Sequence, residues 1–138
     1  MNITTKFGVA VGLCLMAFAA ALAQNGGPAW TKPESQIRDQ ISHLRGLPDD
    51  VRARTTKQLA LDIRALPKTE HKLGLATDLA NLSTEGDFGH DTLQAVATTL
   101  ADALREQPIP MKGNDPSFEY VELATLVRYE HVKASLDN

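Results

Sequence analysis

The apolar residues of this chain recur every three or four positions, which is the spacing of amphipathic helices. The clearest run places six apolar residues on one stripe: Leu93, Val96, Ala97, Leu100, Ala101 and Leu104. Asp91 fits the N-cap of this helix, and Gln94, three residues later, fits a capping box. Pro108 disfavours a helical residue before it. The pattern therefore predicts one helix that starts at Asp91 and ends before Pro108.

The same periodicity predicts four more helices. Their expected ranges are residues 34–44, 49–66, 71–82 and 116–132, the last with Asp115 as its cap. Five helices predict an all-α fold. The fold is either a small bundle or a set of stacked helical hairpins. The second alternative is suggested by the pattern Arg-x-Leu-Pro, which ends the first two helices alike, at 45–48 and 64–67, as in a repeat.

The loop between the third and fourth helices, residues 83–90, holds two glycines and an aromatic residue. We expect Gly86 and Gly89 to supply positive φ for a tight reversal. Phe88 lies between them, and we expect it to fold back onto the helix pair.

The first 23 residues have the composition of an export signal. Lys6 supplies a positive start, residues 7–18 are apolar apart from two glycines, and Ala21-Leu22-Ala23 matches an A-x-A cleavage site. We therefore predict a signal peptide that is removed before Gln24. The mature protein would be periplasmic or secreted, with no stable membrane anchor after cleavage.

Two glycines and two prolines between residues 24 and 33 predict a flexible leader. We expect Trp30 to pack this leader onto a helix surface. The remaining residues, 34–138, are enough for a single helical domain.

Cys14 is the only cysteine, and it lies inside the predicted signal peptide. The mature chain would then have no thiol, which excludes disulfides, thiolate-bound metals and cysteine nucleophiles. Removal of the signal takes away one of 14 basic residues and none of 17 acidic residues, so the net charge changes from −3 to −4. This charge and the lack of a basic patch argue against nucleic acid or an anionic membrane as a partner.

Possible metal ligands crowd in one place, around the loop that precedes the fourth helix. The candidates are Glu85, Asp87, His90 and Asp91. The EF-hand spacing is not met, and His90 has no partner histidine four residues away. Capping and solvation of a turn explain these residues without a metal. The alternative is an exported protein that binds a metal or another small ligand through this loop.

The sequence contains no recognisable catalytic motif. The histidines are scattered one to a segment, at positions 43, 71, 90 and 131, and no serine or acid is placed beside them in the spacing of a triad. No phosphate-binding glycine loop, C-x-x-C or H-E-x-x-H is present. We therefore predict neither a cofactor nor catalytic residues.

The last predicted helix is apolar over an unusually wide arc. One stripe contains Tyr120, Leu123, Ala124, Val127 and His131, and it is widened by Phe118, Val121 and Leu126. A helix of this kind is expected to have neighbours on two sides. We predict that it forms an interaction surface for a protein partner or for a second copy of the chain, made of Phe118, Val121, Leu126 and Tyr129.

Three segments carry a resemblance to a known group of proteins. They read LALDIRALP at 59–67, LSTEGDFGHDTL at 82–93, and ELA followed by LVRYE within 122–130. Over about residues 45–132 the chain resembles the helical region that follows the signal peptide in exported bacterial redoxin proteins of the TlpA type. In those proteins a thioredoxin-like domain comes next and performs thiol–disulfide chemistry through a C-x-x-C.

The chain departs from that pattern because it ends where the thioredoxin-like part would begin and has no mature cysteine. No catalytic residue can be carried over. The resemblance implies an accessory helical region that docks or dimerises beside a redox partner. Residues and resemblance together predict an exported, non-catalytic helical interaction module.

Overall fold

All five predicted helices are present. The computed structural model describes residues 27–137, and of residues 129 and 130 it describes the backbone only. The helices are α1 (Lys32–His43), α2 (Asp49–Ala65), α3 (Lys72–Ser83), α4 (His90–Glu106) and α5 (Phe118–Glu130), with a short 3-10 turn, Leu44–Gly46, after α1. No strand forms within residues 27–137, so the predicted all-α fold is confirmed. The predicted signal peptide, residues 1–23, lies outside the described residues.

The start of α1 lies inside the predicted leader. Thr31 is its N-cap and forms a capping box with Glu34: Thr31 Oγ1 accepts from Glu34 N at 3.4 Å, and Glu34 Oε2 accepts from Thr31 N at 2.7 Å. Pro33 falls in the first turn, where its missing N–H loses no hydrogen bond. The Trp30 ring stacks on the His71 ring at 3.8 Å. The predicted end of the leader at residue 33 is therefore too late.

The predicted N-cap of α4 is wrong. Gly89, with φ 77°, occupies the N-cap position, and Asp91 lies in the first turn, where its carboxylate suits the positive end of the helix dipole. Gln94 does not complete a capping box. It binds the backbone of Lys133 instead, because its Nε2 donates to Lys133 O at 2.7 Å and its Oε1 accepts from Lys133 N at 2.9 Å. This clamp holds the segment after α5 against α4.

Only one of the two glycines in the loop at 83–90 needs its conformational freedom. Gly89 has positive φ, whereas Gly86 does not, contrary to our prediction. A Cβ on Gly86 would lie 3.3 Å from Cε2 of Phe88, so close approach to the ring explains the small residue there. Phe88 is buried as predicted, with the Arg52 guanidinium carbon 5.5 Å from its ring centroid.

Both ends of α5 differ from the prediction. Ser117 takes the N-cap position, while Asp115, the predicted cap, forms an isolated antiparallel bridge with Lys112. The helix ends at residue 130 because His131 adopts a left-handed conformation, with φ 53°. Val132 follows the helix and is buried in the core.

Each described helix contacts only helices one or two places away in the chain. Beside the sequential pairs α1–α2, α2–α3, α3–α4 and α4–α5, the contacts are α1–α3, α2–α4 and α3–α5. This is the order expected of stacked helical hairpins, in which each unit covers its neighbour. It leaves α1 and α5 at opposite ends of the described stack.

Two threonines join α4 to α2. Thr99 Oγ1 donates to Ala60 O at 2.9 Å, and Thr92 Oγ1 donates to Ala53 O at 3.4 Å. Both pairs are spaced seven residues apart, so two turns of each helix stay in register. The alanines on α2 leave the room that this close packing needs.

Candidate interaction surface

The exposed side of α5 is apolar. We call it the outward face of α5. It consists of five residues that line one surface groove, Tyr120, Val121, Ala124, Thr125 and Arg128, and of the exposed residue Val127. Val121 is 41 % exposed and Val127 is 38 % exposed, and Phe118 at the start of the helix is 55 % exposed. Arg128 is the single charged residue of this face.

The opposite side of α5 packs into the protein and carries an acid. Leu123 and Leu126 are buried there, and Glu122 is 8 % exposed. Oε2 of Glu122 has no hydrogen-bond partner among the described residues. A surface helix normally turns its charged residues to water and its apolar residues inward. Here the acid lies on the inner side and a row of apolar residues lies on the outer side.

Of the four residues of the predicted interaction surface, two are exposed and one is buried. Phe118 and Val121 are exposed on α5. Leu126 is fully buried, because its position on the helix falls between the two buried residues 122 and 123 on the inner side, so it belongs to the core. The side chain of Tyr129 lies outside the described part of the structure. Ala124 and Val127 belong to the outward face but were not in the predicted set.

A groove of about 480 Å³ follows the outward face. It is lined by Pro116, Tyr120, Val121, Ala124, Thr125 and Arg128. The chain segment after α5 does not line it, because Gln94 directs that segment to α4, where Lys133, Ala134 and Ser135 border a separate groove of about 160 Å³. Within residues 27–137, the segment after α5 therefore leaves the outward face uncovered.

The acidic loop has contacts of its own. Arg45 donates to Glu85 through Nε at 2.9 Å and through Nη2, and this hydrogen bonding lowers the pKa of Glu85 below its ordinary value. Asp87 Oδ1 accepts from Gly89 N at 3.1 Å, which shapes the turn before α4. These contacts give both acids a structural role.

The other two candidate ligands, His90 and Asp91, are exposed in the first turn of α4. Among residues 27–137, no group of three or more His, Cys, Asp or Glu side chains is placed to hold a metal ion. The loop therefore offers exposed single ligands and not a converging set.

The histidines lie in separate segments of the described chain. His43 Nδ1 lies 2.7 Å from Asp39 O within α1, and His71 Nε2 lies 2.9 Å from Pro28 O. His71 also stacks on Trp30, whose ring has the guanidinium carbon of Arg38 4.4 Å from its centroid. These contacts fix the segment before α1 to the start of α3.

A polar groove of about 310 Å³ lies between α1 and α3. Its walls include Arg38 of α1, Arg45 of the 3-10 turn after α1, and Asp78 of α3. Burial raises the pKa of Asp78 above its ordinary value, although much of the residue is exposed. Both arginines already have partners, because Arg38 lies over Trp30 and Arg45 pairs with Glu85.

Two buried polar clusters were missed by sequence reasoning. Lys72 is 3 % exposed, and its Nζ donates to Leu66 O at 2.9 Å, to Arg64 O at 3.2 Å and to Glu106 Oε1 at 3.0 Å. Lys72 satisfies backbone carbonyl groups at the end of α2, and no sequence pattern predicts this role. The second cluster is centred on Glu34, and its signal, Thr31-x-x-Glu34, is a capping box readable in the sequence.

Comparison with known proteins gave no match: no protein-family model matches the chain, and no curated protein or solved structure is significantly similar to it. A search of the described helices for a segment long and apolar enough to cross a membrane found none.

Proposed function

We propose that this chain is an exported, non-catalytic helical module that binds a protein partner through the outward face of α5. The observation that carries the proposal is the apolar outward face of α5. Val121, Ala124 and Val127 face outward, whereas Glu122 is buried on the inner side. A helix at the end of a stack needs a polar outer face if nothing covers it. This one has an apolar outer face.

Burial of the exposed apolar side chains of α5 under a partner would supply favourable binding free energy. Phe118, Val121 and Val127 each retain between 38 and 55 % of their exposure. Because complete burial of such a side chain contributes roughly 1.5–3 kcal/mol, covering the exposed part contributes on the order of 1 kcal/mol for each residue. Exposed apolar patches of this kind mark protein interaction sites.

Export and redox association belong to the same proposal. Export rests on the signal-like composition of residues 1–23, with cleavage before Gln24. Association with a thiol–disulfide redoxin system rests on the resemblance of the segments at 59–67, 82–93 and 122–130. Since the mature chain would hold no thiol, all thiol chemistry in such a complex would come from the partner.

Site-specific photocrosslinking in the producing cell tests the docking surface. A photoreactive amino acid replaces Val121 on the outward face of α5, and the same residue replaces Leu61 on α2 in the control. Leu61 is 42 % exposed, so the two probes have similar access to solvent. We expect covalent adducts of defined mass from position 121 and few or none from position 61. Equal yields from the two positions would contradict the proposal.

A further inference from the structure

The segment before α1 is held to the start of α3 by an aromatic stack. The ring of Trp30 lies nearly parallel to the ring of His71, with their centroids 3.8 Å apart. Nε2 of His71 lies 2.9 Å from the carbonyl oxygen of Pro28. All residues from 27 to 33 are exposed. The segment therefore buries little surface, and a few contacts decide whether it stays docked.

One carboxylate joins the two pieces of backbone that carry the stacked rings. Oε2 of Glu34 accepts from the backbone N–H of Thr31, which directly follows Trp30, at 2.7 Å. Oε1 of Glu34 accepts from the hydroxyl of Thr69, two residues before His71, at 2.5 Å. Glu34 is 1 % exposed, so water does not compete for these oxygens. The carboxylate thus ties the backbone beside one ring to the backbone near the other.

The two hydrogen bonds of Glu34 need the ionised acid. A carboxylate accepts on both oxygens, whereas one oxygen of a neutral carboxyl group carries a proton. With the proton on Oε2, that oxygen is a poor acceptor for the N–H of Thr31. With the proton on Oε1, the hydroxyl of Thr69 must turn round and accept. In both cases the bonds lose their charge assistance, which roughly doubles the strength of a hydrogen bond.

The contacts of Glu34 favour its ionised form. The hydroxyl of Thr69, followed by the groups of Thr31, lowers the pKa of Glu34 below its ordinary value, while burial acts in the opposite direction. Attraction to His71 lowers this pKa further. Since a histidine carries its positive charge in acid, the attraction lasts until Glu34 itself takes up a proton. Docking of the segment is therefore coupled to the negative charge of Glu34.

The other charged groups around the stack do not replace Glu34. Arg38, whose guanidinium carbon lies 4.4 Å from the centroid of the Trp30 ring, keeps its charge at every pH of interest. Lys72 Nζ donates to Glu106 Oε1 of α4 at 3.0 Å. The remaining charged residues of the adjoining segments are exposed: Lys32, Lys68 and Glu70. Among the described residues, Glu34 is the only buried acid of this junction.

We propose that residues 27–31 form a clasp that acid releases: when Glu34 takes up a proton, the segment leaves the start of α3 while α1 to α5 stay folded. Ile37 and Ile41 keep α1 in the core, because both are buried and neither belongs to the clasp. Release turns the ring of Trp30 to water and uncovers His71. The clasp and the outward face of α5 lie at opposite ends of the described stack, and neither depends on the other.

The direction of the pH dependence follows from proton linkage. The docked segment holds Glu34 at a lower pKa than the released segment does, so docking favours the form without the proton. The clasp is therefore closed above pH 4.5, the ordinary pKa of the group, and opens as the pH falls through the lowered pKa.

Fluorescence of Trp30, the only tryptophan of the chain, is the first test. Acrylamide quenching of the purified chain should become about twofold more efficient between neutral pH and acid, because a ring that is 38 % exposed when docked becomes fully accessible when released. Far-ultraviolet circular dichroism of the same samples should keep its helical signal. An unchanged quenching constant, or a change that coincides with loss of helix, overturns the inference.

Substitution of Glu34 assigns the transition to its carboxyl group. Glu34→Gln keeps one acceptor oxygen but cannot be ionised, so Trp30 should be as accessible at neutral pH as it is in the parent chain in acid. Its accessibility should not change further below pH 4.5. The matched control Glu70→Gln removes an exposed acid of the same junction and should keep the transition of the parent. An acid transition that survives in Glu34→Gln overturns the inference.

Thr69→Val tests the same carboxyl group without removing it. The variant lacks the hydroxyl that donates to Glu34 and keeps the backbone carbonyl that accepts from Gln107. The acid transition should move to higher pH by roughly 0.5–1 unit, the equivalent of one hydrogen bond. This measurement decides the question if Glu34→Gln does not fold, and a midpoint equal to that of the parent overturns the inference.

Discussion

Glu34 joins the start of α1 to the loop between α2 and α3. It is 1 % exposed, and its Oε1 accepts from Thr69 Oγ1 at 2.5 Å while its Oε2 accepts from Thr31 N at 2.7 Å. Gln107, just after α4, donates to the carbonyl of Thr69 at 2.5 Å. The carboxylate of Glu34 therefore links the start of α1 to the α2–α3 loop, and Thr69 of that loop links it in turn to the end of α4.

The ionised form of Glu34 stabilises the fold. The Thr69 hydroxyl, followed by the Thr31 groups, lowers the pKa of Glu34 below its ordinary value of 4.5, although burial acts in the opposite direction. Because the folded pKa is lower than the unfolded one, the contribution is complete above pH 4.5 and is lost as the pH falls through the folded value. Glu34→Gln should cost about 1–2 kcal/mol at neutral pH and reduce the loss of stability in acid.

Urea unfolding at neutral pH and at several values below pH 4.5 measures both effects. Glu70→Gln is the matched control, because Glu70 is exposed and lies next to Thr69 in sequence. The control should follow the parent at every pH. If Glu34→Gln also ran parallel to the parent through the acid range, the stabilising role of the Glu34 charge would be refuted.

At the scale of elements, the α2–α4 contact depends on hydroxyl groups as well as on apolar packing. Thr99 Oγ1 shares its proton between Ala60 O, 2.9 Å away across the interface, and Ala95 O, 2.8 Å away in α4, and it accepts from Arg64 Nη2 at 3.3 Å. Among the described residues, its neighbour Thr98 bonds to Gln94 of the same helix. Thr99→Val should therefore cost about 1–2 kcal/mol, because it leaves a buried carbonyl with fewer partners. Thr98→Val should stay within about 0.5 kcal/mol of the parent.

The free energies of unfolding of the two variants decide this point. Since the substitution is the same and the residues are adjacent, helix propensity is nearly cancelled in the comparison. Equal costs would mean that the hydroxyl of Thr99 adds nothing to the packing of α2 on α4.

Neighbouring residues of α5 should respond very differently to truncation. Leu126 is fully buried and Val127 is 38 % exposed. Leu126→Ala should cost about 2–5 kcal/mol through the cavity that it leaves. Val127→Ala should change stability by about 0.5 kcal/mol or less. Thermal unfolding of the two variants checks the orientation of α5, and the reverse order would refute it.

At the scale of the whole molecule, the apolar periodicity of the sequence was sufficient to predict the helices but not the contacts between them. The stripe from Leu93 to Leu104 predicted α4 because local spacing alone decides which residues share a helix face. Gln94 shows where this reasoning stops. Its spacing from Asp91 matched a capping box, yet its amide bound Lys133, which is 39 positions away in sequence.

The orientation of α5 was also beyond the sequence pattern. Apolar residues of α5 lie on nearly every side of the helix, so the sequence did not show which side faces the core. Leu126 was therefore wrongly assigned to the surface. The choice is made by packing against α3 and α4, which bury Leu123 and Leu126. Phe118 and Val121, two other residues of the predicted interaction surface, are exposed. The apolar arc of α5 is too wide to be covered by one contact.

The order of contacts in the stack predicts an order of local stability. α3 and α4 each have helices packed on both sides, whereas α1 contacts only α2 and α3, and α5 contacts only α3 and α4. Local opening of an end helix exposes less apolar surface than opening of a middle helix, so it costs less free energy. Native-state hydrogen exchange should therefore show the slowest amides in α3 and α4, with faster exchange in α1 and α5. Uniform exchange through all five helices would contradict the stacked order.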